Sequence, residues 1–72
     1  MKLFIFKTNI NTKYKVKSIN DTFVLDTNIL DVSVDLEDVD KVLRIETTDV
    51  IKEVEIVNKV ERAGFSCVEL AD

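Results

Sequence analysis

The sequence is poor in the residue types that usually carry chemistry or covalent cross-links. Its 72 residues include one cysteine, one glycine and no histidine, proline or tryptophan. A single cysteine cannot form an internal disulfide, so the chain is not a small secreted scaffold held by disulfides. With no histidine and one thiol, neither a structural zinc site nor a Ser-His-Asp or Cys-His catalytic centre can be assembled.

Long hydrophobic runs are also missing. The first apolar run covers residues 3–6, whereas a secretory signal needs about 7–15 apolar residues and a membrane-spanning helix about 20. We therefore expect a cytoplasmic protein without membrane insertion. The hydrophobic share of 46% is ordinary for a folded chain, and the length predicts a single domain over residues 1–72 with a small core.

The charges are acidic in total and uneven along the chain. Ten basic and 14 acidic side chains give a net charge of −4, which disfavours nucleic acid as a partner because phosphate neutralisation needs a basic face. A basic cluster is formed by Lys13, Lys15 and Lys17, with Tyr14 among them. The middle of the chain is acidic, with Asp31, Asp35, Glu37, Asp38 and Asp40 close together. The group from Asp35 to Asp40 is expected to be a solvated hairpin tip rather than a calcium site, because it lacks the glycine and the terminal glutamate of an EF-hand loop.

The first half of the chain predicts a strand and then a helix. Residues 2–8 are rich in aromatic and branched side chains and are bounded by polar residues, which is typical of a buried strand. Asn11 or Thr12 is suited to cap a helix over residues 12–24. Val16, Ile19 and Phe23 recur on one face of that helix.

The second half predicts a hairpin, a helix and a last strand. Apolar and polar side chains alternate over residues 29–36, and a second run covers 41–47, so the two form an antiparallel pair. A helix is predicted from residue 51 or 52 to Ala63, and Gly64 stands where a left-handed residue ends a helix. Residues 65–70 complete the pattern as a strand.

The order strand, helix, strand, strand, helix, strand predicts an α+β fold. Two split βαβ units give a ferredoxin-like βαββαβ sandwich, in which a four-stranded antiparallel sheet of order 4-1-3-2 carries both helices on one face. The sequence contains no nucleophile–base pair, no phosphate-binding loop and no paired acid–base carboxylates. We therefore expect no enzyme activity and no cofactor.

Four segments carry a resemblance to a known family. They are Phe6-Lys-Thr-Asn-Ile-Asn11, Val32-Ser-Val-Asp35, Asp40-Lys-Val-Leu43 and Ala63-Gly-Phe65. In this order they resemble the heavy-metal-associated domain, the fold of small copper chaperones and of the N-terminal domains of metal-transporting ATPases. The resemblance extends from about Leu3 to Leu70.

The resemblance implies a metal site that this chain has lost. In the family, Cys-x-x-Cys at the start of the first helix binds a soft cation such as Cu(I). The matching positions here are Thr12 and Lys15, so no metal site is expected. The positions next to this degenerate site, which the family places at its metal loop, are Asn9, Ile10, Asn11 and Phe65.

Two functions remain open at this point. The resemblance favours a non-enzymatic protein-interaction or regulatory module, either a monomer or a weak dimer. Its partner would be a protein, such as a metal-transporting ATPase or a related transporter domain, met through Lys13, Tyr14, Lys15 and Lys17. The alternative is a metal carrier that uses a partner's ligands, or Cys67 across a dimer. Cys67 itself is expected to be a small buried side chain.

Overall fold

A computed structural model describes residues 1–70, which form four strands and two helices. The elements are β1 (Lys2–Thr8), α1 (Lys13–Phe23), β2 (Ile29–Asp35), β3 (Val42–Thr47), α2 (Glu53–Arg62) and β4 (Cys67–Glu69). The predicted βαββαβ order is confirmed. No helix within the described residues is both long enough and apolar enough to span a bilayer.

The four strands form one antiparallel sheet in the order β2-β3-β1-β4. This order is the predicted 4-1-3-2, with β1 and β3 in the centre. Phe4 pairs with Ile45 and Phe6 with Leu43, and Thr8 pairs with Cys67 on the other side of β1. The ferredoxin-like fold is therefore confirmed, and β2 and β4 are its edge strands.

The core lies between one face of the sheet and the two helices. Side chains alternate across a strand, and the alternate residues Phe6 of β1 and Leu43 and Ile45 of β3 are fully buried. Helix α1 covers them with Ile19 and Phe23, as predicted. The rest of the buried cluster comes from the loops, α2 and β4, through Ile10, Ile51, Ile56, Val60 and Cys67.

The second strand differs from its predicted pattern. The alternation placed Leu30, Val32, Val34 and Leu36 on one buried face, but the ladder shifts by one residue between Ile29 and Asp31. A bulge of this kind leaves one residue out of register. Ile29 therefore packs against the core, whereas Leu30 is 52% exposed.

The last strand is shorter than predicted. The strand expected over residues 65–70 begins only at Cys67, because Gly64 adopts a left-handed φ of 96° and the amide of Phe65 still bonds the Val60 carbonyl. The helix therefore ends in a closed turn before the chain straightens. The role expected for Gly64 is confirmed.

Candidate functional site

The loop that joins β1 to α1, residues 9–12, is held by internal hydrogen bonds where it leaves β1. The Thr8 hydroxyl donates to the Lys41 carbonyl at 2.6 Å and accepts from the Ile10 amide at 3.1 Å. The Asn9 side-chain oxygen accepts from the Ser66 amide at 3.0 Å. The loop is thus attached to the β2–β3 hairpin on one side and to the turn before β4 on the other.

Ile10 anchors the middle of this loop. Its side chain is completely buried in the core cluster, between exposed neighbours at Asn9 and Asn11. A buried branched side chain in a short loop restricts where the backbone can lie. The loop therefore has a defined shape that depends on contacts within the described chain.

Thr12 caps the first helix. It has the extended backbone of an N-cap residue, with φ −137° and ψ 158°, and its hydroxyl accepts from the Lys15 amide at 3.1 Å. A capping hydroxyl satisfies one of the amides that a helix start leaves without a partner. Of the two caps that the sequence allowed, Asn11 and Thr12, the structure uses Thr12.

The Lys15 ammonium folds back over the loop. Its Nζ donates to the Asn11 side-chain oxygen at 2.9 Å, and the residue is half-buried because it lies one turn before the buried Ile19. Asn11 uses its amide oxygen for this bond, so the start of α1 carries a cation held over the loop. Thr12 and Lys15, the positions that the resemblance matches to Cys-x-x-Cys, therefore carry a hydroxyl that caps the helix and an ammonium group.

The predicted basic cluster is divided by the helix. Lys13 and Lys17 are four residues apart and share a face, whereas Lys15 lies two residues from each and points elsewhere. Tyr14 is 82% exposed, and the Lys17 ammonium pairs with Asp21 at 3.1 Å. The first turns of the exposed face of α1 thus carry Lys13, Tyr14 and Lys17, without Lys15.

Phe65 and Cys67 lie on the inner side of the molecule. Phe65 is half-buried against the core, and Ser66 beside it meets Asn9. Cys67 is 8% exposed, and burial raises the pKa of its thiol to about 12, with further contributions from the carboxylates of Glu61 and Glu53. A neutral thiol is a poor nucleophile and a poor metal ligand.

The acidic hairpin tip uses its carboxylates to close its own turn. Asp35 accepts from the Glu37 amide at 3.1 Å and Asp38 from the Asp40 amide at 2.8 Å. Within residues 1–70, no three metal-ligating side chains come together in a group that would hold an ion. This surface is built as a turn.

Comparison with known proteins rests on structure alone. No protein-family model matches the sequence, and no curated protein sequence matches it. A copper-binding domain from HMA7, a P-type ATPase, has a TM-score of 0.83 at 19% identity, over 99% of this chain and 96% of its own. The yeast copper transporter domain Ccc2a has a TM-score of 0.83 at 16% identity, over 100% and 99%.

A further match is the first domain of the human copper chaperone for SOD1, with a TM-score of 0.79 at 21% identity, over 93% of this chain and 89% of its own. The chain has the fold of a heavy-metal-associated domain. The sequence segments that resemble the heavy-metal-associated domain and the backbone that matches these structures cover the same part of the chain, from β1 to β4. At these identities the agreement concerns the backbone.

Proposed function

We propose that this heavy-metal-associated domain has lost its metal ligands and acts as a non-enzymatic module that binds another protein. The observation that carries the proposal is the pair Thr12 and Lys15 at the start of α1. A threonine hydroxyl is a weak ligand for a soft cation, and here it is already engaged as the helix cap. The Lys15 ammonium repels a cation in its place.

The geometry supports a loop that holds its shape without metal. The loop is positioned by the Thr8 and Asn9 side chains, which accept hydrogen bonds from backbone amides, by the Lys15 ammonium, which donates to Asn11, and by the buried side chain of Ile10. The ammonium group brings one positive charge over Asn11, as a bound monovalent cation would. A partner would therefore meet a loop of constant charge, independent of metal supply.

The alternative of a metal carrier finds less support. Its only thiol within the chain is Cys67, which is buried and whose raised pKa keeps it neutral at physiological pH. Binding a metal there across a dimer would require opening the packing around β4. A carrier that depends on a partner's ligands alone would gain little from Lys15, because the ammonium opposes the cargo.

We propose that the partner is an acidic protein surface, such as a heavy-metal-associated domain of a metal-transporting ATPase. Lys13 and Lys17 lie beside the exposed Tyr14 on α1, and an aromatic side chain next to cations is suited to a contact that is both apolar and charged. Such charges act mainly on the association rate and are screened by salt.

Metal titration tests the loss of ligands. The reduced protein, titrated with Cu(I) or Zn²⁺ against a competing chelator, is expected to show no stoichiometric complex tighter than about micromolar. The double variant Thr12→Cys, Lys15→Cys, made in a Cys67→Ala background, is expected to bind one Cu(I) per chain. Cys67→Ala alone is the matched control and should bind none.

Two outcomes would contradict this proposal. Tight binding by the unaltered protein that disappears in Cys67→Ala would favour the carrier. A double variant that is folded but does not bind metal would show that residues 12 and 15 are not the ligand positions.

The docking face has its own test. With an acidic ATPase domain as the probe, Lys13→Glu combined with Lys17→Glu should slow association and flatten its dependence on salt. A matched control is Lys52→Glu combined with Arg44→Glu, which makes the same change in net charge at two exposed basic residues outside α1. An association rate that the double change leaves unaltered would contradict docking through α1.

A further inference from the structure

A groove lies between α1 and the edge strand β2, away from the β1–α1 loop. Its volume is about 270 Å³, and Val32 and Ile29 form its floor together with Phe23 of α1. Asn20, Val24 and Leu30 also line it, and Asp31 borders it at the strand edge. It is thus bounded by a helix on one side and by a strand edge on the other.

The rim of the groove is apolar and exposed. Val24 is 71% exposed at the end of α1, and Leu30 is 52% exposed at the bulge of β2. A bulge re-aims the side chain that it takes out of register, and here Leu30 lines the groove rather than the core. Large exposed side chains that meet at a concave site favour an interaction surface over isolated surface residues.

The strand beside the groove has a free edge. Among residues 1–70, β2 pairs only with β3, and its residues 31–35 follow a regular register beyond the bulge. An edge of this kind presents unpaired amides and carbonyls to an added strand. In β-strand addition, the backbone of an extended peptide pairs with an exposed sheet edge while its alternate side chains enter adjoining pockets.

The charges select the kind of strand that fits. Asp31 and Asp35 alternate with Val32 and Val34, so their carboxylates lie on the open face of the sheet, opposite the helices. Neither carboxylate forms an ion pair within the part of the chain described here. An added strand would therefore place basic side chains on the open face and apolar side chains over the groove.

A second copy of the chain fits this edge poorly. If two β2 strands paired in antiparallel fashion about Ser33, the Asp31 side chain of each copy would stand opposite the Asp35 side chain of the other. Like charges directly opposed across a sheet are destabilising. The charge pattern thus opposes self-association and favours a basic partner.

We propose that the β2 edge and the adjoining groove bind an extended segment of a partner protein in which apolar and basic side chains alternate. The segment adds a fifth strand beside residues 31–35 of β2. Its apolar side chains contact Val24 and Leu30 at the rim of the groove, and its basic side chains face Asp31 and Asp35. This surface is separate from the exposed face of α1 that carries Lys13, Tyr14 and Lys17.

The probe is a seven-residue peptide with blocked ends that alternates lysine and valine. Titrated into the isotope-labelled protein at physiological ionic strength, it is expected to shift the amide resonances of residues 29–35 and of Val24. Asp31→Lys should weaken its binding about two- to fivefold, which is the range for one exposed ion pair. Leu30→Ser should weaken it through the groove.

Matched controls separate this mode from general attraction to an acidic protein. Glu61→Lys makes the same change in net charge on an exposed position of α2 and should leave binding unchanged, and a peptide that alternates lysine and serine should bind more weakly. The proposal is overturned if Glu61→Lys weakens binding as much as Asp31→Lys, if the serine peptide binds equally well, or if the shifts centre on residues 36–41.

Discussion

The two ends of the molecule differ in what fixes them and in what they expose. At the loop end, Thr8, Asn9 and Thr12 use their side chains to hold backbone amides. At the opposite end, the turn after α1 and the segment before α2 are joined by hydrogen bonds between Asn28 and Thr48. That end nevertheless exposes many large apolar side chains, including Val24, Leu25, Val50 and Val54.

This difference indicates that the ends suit different contacts. The loop end presents hydroxyl, amide and ammonium groups that already hold the loop by hydrogen bonds, so a partner there would meet a polar surface of defined shape. The opposite end leaves apolar surface uncovered, and burying such surface yields about 25 cal/mol per Å². We therefore expect charge to dominate any contact at the loop end and apolar burial to dominate any contact at the other end.

The comparison is tested most strongly by removing one apolar side chain at each end. Ile10→Ala is expected to lower the free energy of unfolding by about 2–5 kcal/mol, because Ile10 is completely buried. Leu25→Ala, at a side chain that is 91% exposed, should change it by no more than about 0.5 kcal/mol. Urea unfolding followed by circular dichroism measures both, and equal losses would contradict the difference between the ends.

The dependence of stability on alkaline pH tests the buried Cys67 thiol, which lies behind the β1–α1 loop. The pKa of Cys67 is raised from 9.0 to about 12 in the fold, so the unfolded chain releases this proton first. Stability from this group is fully present below pH 9 and falls as pH rises toward 12, by up to about 1.4 kcal/mol per pH unit.

Comparison with Cys67→Ala isolates this effect. The variant should lose less stability than the unaltered protein between pH 9 and 11, as measured by urea unfolding at each pH. Parallel profiles for the two proteins would show that the thiol titrates at its ordinary pKa.

The ion pair between Asp26 and Lys59 sharpens the comparison at the end opposite the loop. Lys59 Nζ lies 2.6 Å from Asp26 Oδ2, and the Asp26 side chain is largely buried. The hydrogen bond from Lys59 and a second one from the Asn28 amide lower the pKa of Asp26. Asp26→Asn should cost about 1 kcal/mol. The exposed pair Lys17–Asp21 provides the control, since Asp21→Asn should cost less.

The Asp26–Lys59 pair also predicts that the free energy of unfolding falls at acidic pH. A lowered pKa means that the contribution of Asp26 is present above its ordinary value of 3.8 and is lost as pH falls below it. The difference in unfolding free energy between the unaltered protein and Asp26→Asn should therefore shrink from pH 5 to pH 3. A difference that stays constant would assign the loss to packing rather than to charge.

The smallest expected effect concerns the helix cap at the loop end. Thr12→Ala removes the hydroxyl that accepts from the Lys15 amide and should cost about 0.5–1 kcal/mol in thermal or urea unfolding. Thr12→Ser retains a hydroxyl and should recover most of that loss. If serine does no better than alanine, the cap does not stabilise α1.

Most of the fold was predictable from the spacing of the hydrophobic residues and from the single glycine, Gly64. The stripe of Val16, Ile19 and Phe23 located α1, and Gly64 located the end of α2, because both follow from local geometry. The bulge at Leu30 was not predictable, since Ile29 and Leu30 are equally apolar and only the pairing with β3 decides between them.

The candidate site was predictable in position but not in arrangement. The resemblance located Thr12 and Lys15, and the sequence allowed Thr12 as a cap. The bond from Lys15 to Asn11 depends on a side-chain rotamer, and the bond from Ser66 to Asn9 joins residues far apart in sequence. The groove beside β2 was missed because it is formed by two elements and a bulge, although the exposed Val24-Leu25 pair after α1 was a visible signal.

The Thr8 hydroxyl joins the β2–β3 hairpin to the β1–α1 loop. It bonds the hairpin carbonyl of Lys41 and the loop amide of Ile10 at once, while its own amide donates to the Asp40 carbonyl. The acidic hairpin and the β1–α1 loop should therefore open as one cooperative unit, with linked rates of amide hydrogen exchange. A molecule that binds the hairpin would therefore slow the opening of the β1–α1 loop without contacting the loop.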